Sequence, residues 1–183
     1  ERFTPELCEA LGIPHAGAVI VSLARRGLFV EPRGRGVGWY ALNAVVRDYA
    51  AASLALDPAE EARIRAEAAA WLERHGHVEE ALQAQLAAGD TDAVTRMLHE
   101  RGASLLAAGA VDTVGRAVDL LPPDARGPEL ERLAGEVRQI RGDWEGAIDC
   151  YERAGAGLAR RSCGLAWRLG LIHHLRGRLD EAL

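Results

Sequence analysis

The residues best suited to hold a metal are His75 and His77, at His-x-His spacing, and the adjacent pair His173-His174. Neither pair has the Cys, carboxylate or further His neighbours that a zinc site recruits, so both read as structural or surface histidines. The acid pairs Glu60-Glu61, Glu79-Glu80 and Asp180-Glu181 resemble general acid and base couples, but each opens a helical pattern. Acids there stabilise the helix dipole by about 0.3–1 kcal/mol, which is reason enough for their place. Arg25, Arg26, Arg33 and Arg35 surround a Gly-rich turn and could grip a phosphate backbone. The other reading, which the charge balance favours, makes Arg33 and Arg35 solvated loop tips and pairs Arg25-Arg26 with an acid elsewhere. Trp39, Trp71, Trp144 and Trp167 could stack on a ligand. Trp71 and Trp144 occupy packing positions, whereas Trp167 stays open to ligand contact. No Gly-x-x-x-x-Gly-Lys-[Ser/Thr] run is present, so these residues alone cannot cradle a triphosphate. No Ser/His/Asp or Cys/His arrangement has a discernible context, and the expectation is a non-enzymatic chain with no catalytic and no metal site.

The elements that position these residues start at Thr4-Pro5-Glu6: a capping hydroxyl, Pro at the first helical place, then an acid. That helix ends at Gly12. A second spans about residues 16–26, with Val19, Ile20 and Leu23 expected on one face and Gly27 as its stop. Leu28-Phe29-Val30 and Trp39-Tyr40-Ala41-Leu42 flank the Gly-rich turn and predict a β-hairpin. Helix, helix, hairpin is the order of a winged helix. A further helix over 43–56 is expected to turn Val45, Val46 and Tyr49 inward, and the first domain is set at residues 1–57.

From residue 58 to 183 every strong pattern is helical. Ile64, Ala68, Trp71, Leu72 and His75 recur at spacings of 4, 7, 8 and 11, one stripe of an amphipathic helix. Further helices are predicted over 78–88, 91–101, 111–121, 129–141, 144–154 and 159–176. Pro122-Pro123 and Gly127-Pro128 interrupt them. Five glycines, 76, 89, 109, 142 and 177, each open a similar phrase, such as Gly142-Asp-Trp-Glu-Gly-Ala-Ile and Gly177-Arg-Leu-Asp-Glu-Ala-Leu. Four are in register, separated by 33, 33 and 35 residues. A period near 34 marks stacked helical hairpins, each burying its apolar stripe on its neighbours. The fold class is therefore mainly α: an N-terminal winged helix with a short hairpin, then an α-α superhelix.

All 22 basic residues are Arg, and the formal charge is −5. Residues 1–56 carry six Arg against five acids, so the excess of acid lies in the repeats. An array of that sign is a poor generic nucleic-acid binder, because phosphate neutralisation supplies most non-specific affinity. Cys8, Cys150 and Cys163 are unevenly spaced with no CxxC pair, which suits a reducing cytoplasm. No long apolar run or signal peptide is visible, and the expected setting is cytoplasmic, away from membranes. The chain opens without Met and stops just after a repeat phrase begins, so it reads as an excerpt of a longer protein.

The repeat unit resembles the tetratricopeptide repeat (TPR). Ala147, Tyr151 and Ala154 match that family's Ala-x-x-x-aromatic-x-x-Ala row, with Gly142 at the turn and Gly135 at the small position seven residues earlier. Gly102 and Gly170 stand seven before Gly109 and Gly177 in the same way. Earlier units are degenerate: Gln85 replaces the aromatic between Ala81 and Ala88, while Val114, Val118 and Leu121 fill the row after Gly109.

The first part, Thr4-Pro-Glu-Leu-Cys-Glu-Ala-Leu11, Leu23-Ala-Arg-Arg-Gly-Leu-Phe-Val30, Trp39-Tyr40 and Arg65-Ala-Glu-Ala-Ala-Ala-Trp-Leu-Glu-Arg-His-Gly76, resembles MalT-like regulators. These are LuxR-type, ATP-binding transcription regulators of the signal-transduction ATPase (STAND) group. The resemblance implies an upstream nucleotide-binding domain that would use ATP or ADP, and a sensor array for a small-molecule inducer or a regulatory protein. It implies DNA contact only through a separate C-terminal helix-turn-helix. Related sequences place a phosphate-sensing His where this chain has Asn43, which can donate a hydrogen bond but carries no charge. On the array, the row around Glu131, Arg138, Trp167, Arg168 and His173 is the expected effector- or protein-binding surface. Two other readings keep the same fold: a TPR-like interaction scaffold with no DNA or nucleotide role, and a DNA-binding winged helix.

Overall fold

A computed structural model describes residues 2–33, 38–53, 56–123, 126–156 and 163–177, mainly as α-helix with one short hairpin. Helix α1 (Pro5–Ala10) starts as predicted, with the Leu7 amide donating to Thr4 Oγ1 at 3.2 Å. Helix α2 (Ala16–Arg25) buries Ala16 and Ile20 and half-buries Leu23. Val19, expected inward, is instead 53% exposed. The i, i+4, i+7 face of Ala16, Ile20 and Leu23 meets Val30, and Val19 falls to one side of it.

Strands β1 (Val30–Pro32) and β2 (Tyr40–Leu42) pair antiparallel, with Val30 opposite Leu42 and Pro32 opposite Tyr40. Phe3 bridges to Tyr40 through two backbone bonds of 2.9 Å. The first strand starts two residues later than expected. Phe29 takes a left-handed φ of 65°, which interrupts the extended run and leaves Leu28 and Phe29 exposed. The turn residues 34–37, Arg35 among them, lie outside the described residues.

Helix α3 (Ala44–Ser53) follows the hairpin and buries no residue. Val45 and Tyr49, predicted inward, are 77% and 71% exposed; of the three residues predicted inward Val46 alone is half-buried. Periodicity shows that a helix has an apolar face, but not what covers it. Helix α4 (Pro58–Arg74) is capped by Asp57 and packs with α5 (Val78–Ala88), burying Ala69, Leu72, Ala81 and Leu82. His75, placed in the buried stripe by its spacing, is the exposed C-cap of α4.

The chain divides into two units, Glu1–Gly89 and Asp90–Leu183. The second holds α6 (Thr91–Ala107), α7 (Val111–Leu120), α8 (Pro128–Ile140), α9 (Trp144–Ala156) and α10 (Cys163–Leu175). In it α6 packs on α7 and α8, α7 on α8, α8 on α9 and α9 on α10, a series of packed helices resembling a helical-repeat region. Helix α6 runs past its predicted end at residue 101 because Gly102 is tolerated inside it. A Cβ there would stand 2.6 Å from Leu133 Cδ2 of α8, so the missing side chain lets the two helices close up.

The glycine phrases are the punctuation of this fold. Gly76, Gly89, Gly109, Gly142 and Gly177 all take a left-handed φ between 71° and 89°. At three of them the helix closes with the same two bonds. His77 N donates to Leu72 O, Ala110 N to Leu105 O and Asp143 N to Arg138 O, each at 2.9 Å. The glycine amide takes the carbonyl three residues back in every case. This double closure satisfies orphan carbonyls and needs a residue without a Cβ penalty at positive φ. The predicted helix over 159–176 is described from Cys163 onward, and the last phrase after Gly177 lies outside the described residues.

Candidate functional site

The row expected to contact an effector is divided between two neighbourhoods. Glu131 and Arg138 lie seven residues apart on α8, near Cys150 of α9. Glu131 is 3% exposed, and its Oε2 accepts from Arg153 Nε and Nη2 at 3.1 and 3.0 Å. Arg153 also reaches the Cys150 sulfur at 3.2 Å. Burial pushes the Cys150 thiol above its ordinary range, against the opposing charges of Arg138 and Arg153. A buried carboxylate bound by a guanidinium is first a structural pair, since removing either partner strands a charge.

Arg168, on α10, bonds Glu136 at 2.9 Å, and Arg132 holds the same carboxylate. Beside them Tyr151 is fully buried, its hydroxyl donating to Gln139 Oε1 at 2.7 Å. Burial raises the Tyr151 phenol to about 12, although Arg168 pulls the other way. Trp167 is 65% exposed, His173 half-buried and His174 exposed. Trp144 packs on the cluster of Ala147, Ile148, Tyr151, Ala154, Leu165 and Ile172, as its position in the repeat predicts.

A cavity of about 110 Å³ opens between α7 and α8 at their junction with α9. Its walls carry Arg138, Arg141, Asp119 and Asp143 over a floor of Val118, Ala134 and Val137. Arg138 bonds Asp143 at 3.1 Å, and Asp143 Oδ1 also accepts the Gly146 amide at 3.0 Å. Partial burial works against the Arg138 charge, but the Asp143 bond and the fields of Asp143 and Asp119 outweigh it and raise its pKa. Arg138 was expected on the effector row rather than in a cavity of its own; Arg141 and Asp119 were not singled out, because nothing in their spacing distinguishes them from other charged helix residues.

In the first unit, Asn43 immediately precedes α3. Its Oδ1 accepts the Val45 amide at 2.9 Å, and its own amide donates to the Phe29 carbonyl at 2.7 Å. The side-chain oxygen is thus spent as a helix cap, leaving the NH2 group as its donor. His75 and His77, read from the sequence as structural or surface histidines, are engaged with indoles. Trp71 stacks on His75 with centroids 3.9 Å apart and on His77 at 6.3 Å, and Trp39 meets His77 edge-on at 5.0 Å. Among the described residues no group of three His, Cys, Asp or Glu could hold a metal ion. The acid pairs hold their own neighbourhood: Glu61 bonds Arg65, Glu79 bonds Gln83 and Glu80 bonds Arg2. No described helix is long and apolar enough to cross a membrane.

What sets the first unit apart is its uncovered face. On α3 the apolar residues Val45 and Tyr49, one turn apart, point to solvent, and Leu42, Leu28 and Phe29 beside the hairpin are also exposed. Arg33, the described basic residue nearest the turn, is paired with Glu31 at 2.8 Å. Residues 1–63 match the MalT winged helix domain. That match spans α1, α2, the hairpin, α3 and the cap of α4. No curated protein matches the chain. The N-terminal part therefore matches a winged helix of the MalT type, and packed helices resembling a helical-repeat region follow it.

Proposed function

We propose that this chain is the switching portion of a STAND, LuxR-type transcription regulator. The winged helix, to Asp57, docks through α3 on a nucleotide-binding domain of the same polypeptide and holds it closed. The helical repeats from Pro58 onward bind a small-molecule inducer or a regulatory protein. An effector that favours the released arrangement shifts the closed–open equilibrium by its difference in affinity for the two states. DNA is read by a separate C-terminal helix-turn-helix, and ATP or ADP resides in the docked domain. Asn43, at the foot of α3, offers its NH2 group across that interface. Arg138, in the wall of the cavity between α7 and α8, and Trp167, exposed on α10 with Arg168 and His173, belong to the sensing surface; Glu131 is buried against Arg153 and does not reach it.

The observation that carries this reading is the outward apolar face of α3 in a domain that matches the MalT winged helix. A soluble helix rarely leaves two large apolar side chains on one face unless a partner covers them. A DNA-binding use is disfavoured because six Arg face five acids in residues 1–56, leaving little phosphate-seeking charge. The test is Val45→Glu with Tyr49→Glu in the full-length protein, read from its promoter. The expected result is transcription without inducer, because the closed state loses its clamp. Unchanged inducer dependence would end this reading.

A further inference from the structure

Arginine side chains pass close over two glycines here, Gly115, which lines the cavity between α7 and α8, and Gly146 beside it on α9. A Cβ on Gly115 of α7 would lie 2.5 Å from Arg141 Nη2, and one on Gly146 of α9 would lie 2.7 Å from Arg138 Nη1. A larger residue at Gly115 would push the Arg141 guanidinium out of the wall, and one at Gly146 would crowd the Asp143 carboxylate together with Arg138. The two arginines differ in how far they are committed. Arg138 is tied to Asp143, whose other oxygen caps α9. Arg141 has one bond, of 3.2 Å, to an Asp112 side chain that is 94% exposed. A pair so open to water is held weakly, and the remaining Arg141 donors are available to a guest.

Asp119 completes the contrast. It lines the same cavity and favours the charge on Arg138, yet makes no hydrogen bond or ion pair among the described residues. The wall charges cancel, two Arg against two Asp, over an aliphatic floor. A simple anion would meet Asp119 and Asp143, and a simple cation would meet both guanidiniums. A molecule with one carboxylate and one ammonium satisfies the two uncommitted groups together. The space of about 110 Å³ admits only a small one. We propose that this cavity binds a small free α-amino acid, its carboxylate on Arg141 and its ammonium on Asp119, with the side chain over Val118 and Val137.

This rests on the sensor reading above and gives its effector a chemical class. The test is thermal unfolding of the purified chain with glycine, alanine or serine at about 10 mM, against propionate, ethylamine and alaninamide at the same concentration. The amino acids should raise the midpoint by about 3 °C, and the one-charge analogues should not. Asp119→Asn and Arg141→Gln should each weaken the response at least about tenfold. Gly115→Ala should do the same by displacing Arg141 while both charges remain. The proposal is overturned if no amino acid shifts the midpoint, if propionate matches alanine, or if the variants respond like the parent. Such a failure would leave the α3 docking experiment untouched, so the site and the regulator reading fall separately.

Discussion

Gly135→Ala is the substitution for which general rules and this structure disagree most. In a helix interior, replacing Gly by Ala gains about 1 kcal/mol from backbone propensity. Here the new methyl would stand 2.6 Å from Tyr151 Cδ1 and 3.0 Å from Cζ. Ordinary carbon contacts are about 3.5–4.0 Å, so the ring must retreat by roughly 1 Å. It has nowhere to go: Tyr151 is 0% exposed, and its hydroxyl is held by Gln139 at 2.7 Å. Overpacking costs about 1–3 kcal/mol and a lost hydrogen bond about 1 kcal/mol more. After the propensity gain, the net loss is about 2 kcal/mol. Urea unfolding followed by circular dichroism measures it, with two companions as internal standards. Gly102→Ala meets the tip of Leu133, a side chain that can yield more than an aromatic ring, and should lose about half as much. Gly164→Ala has nothing within 4 Å and should be neutral or slightly stabilising. The packing argument is refuted if Gly135→Ala is as stable as Gly164→Ala. Placing Gly135→Ala in a Tyr151→Leu background should recover about 1 kcal/mol or more by relieving the contact.

Three further outcomes follow from the same geometry. Arg153→Met strands the buried Glu131 and should cost about 3 kcal/mol in urea titrations, whereas Arg63→Met, removing an exposed pair to Glu67, should cost under about 0.5 kcal/mol. The Tyr151 phenol, raised by burial to about 12, keeps its proton in the folded chain after an unfolded one has released it. Stability should therefore be level with respect to this group below about pH 10 and fall above it, at up to about 1.4 kcal/mol per pH unit, a slope that Tyr151→Phe removes. Alkylation read by mass spectrometry should modify exposed Cys163 first and half-buried Cys8 more slowly, with Cys150 protected until unfolding; burial raises the last two thiols, and Glu6 and Glu9 add to it at Cys8.

Much of the architecture was legible because its signals are local. The Thr4 cap, the prolines opening α1, α4 and α8, and the left-handed glycines 76, 89, 109, 142 and 177 act within a few residues, so they mark most helix ends by themselves. The row of Ala147, Tyr151 and Ala154 was legible for the same reason, since a repeated unit repeats its packing. What escaped depends on contacts distant along the chain. Val45 and Tyr49 form an apolar face at helical spacing, but nothing in that spacing says whether a partner lies within these residues. Glu131 was expected to meet a ligand because charged helix residues usually face water; it is buried because Arg153, 22 residues on, reaches across the hairpin. The Trp39, Trp71, His75 and His77 cluster joins a strand flank to two helix ends, and Arg141 owes its position to Gly115 on another helix. Neither arrangement has a period to detect.

Helix α3 is proposed as a docking surface whose partner lies elsewhere in the full-length protein. Hydrogen exchange of the amides of residues 44–53 tests it directly, measured in this chain alone and in the full-length protein without inducer. A docked helix should exchange at least about tenfold more slowly in the full-length protein, and inducer should return it to the rate of the isolated chain. Equal exchange in all three samples would contradict the account.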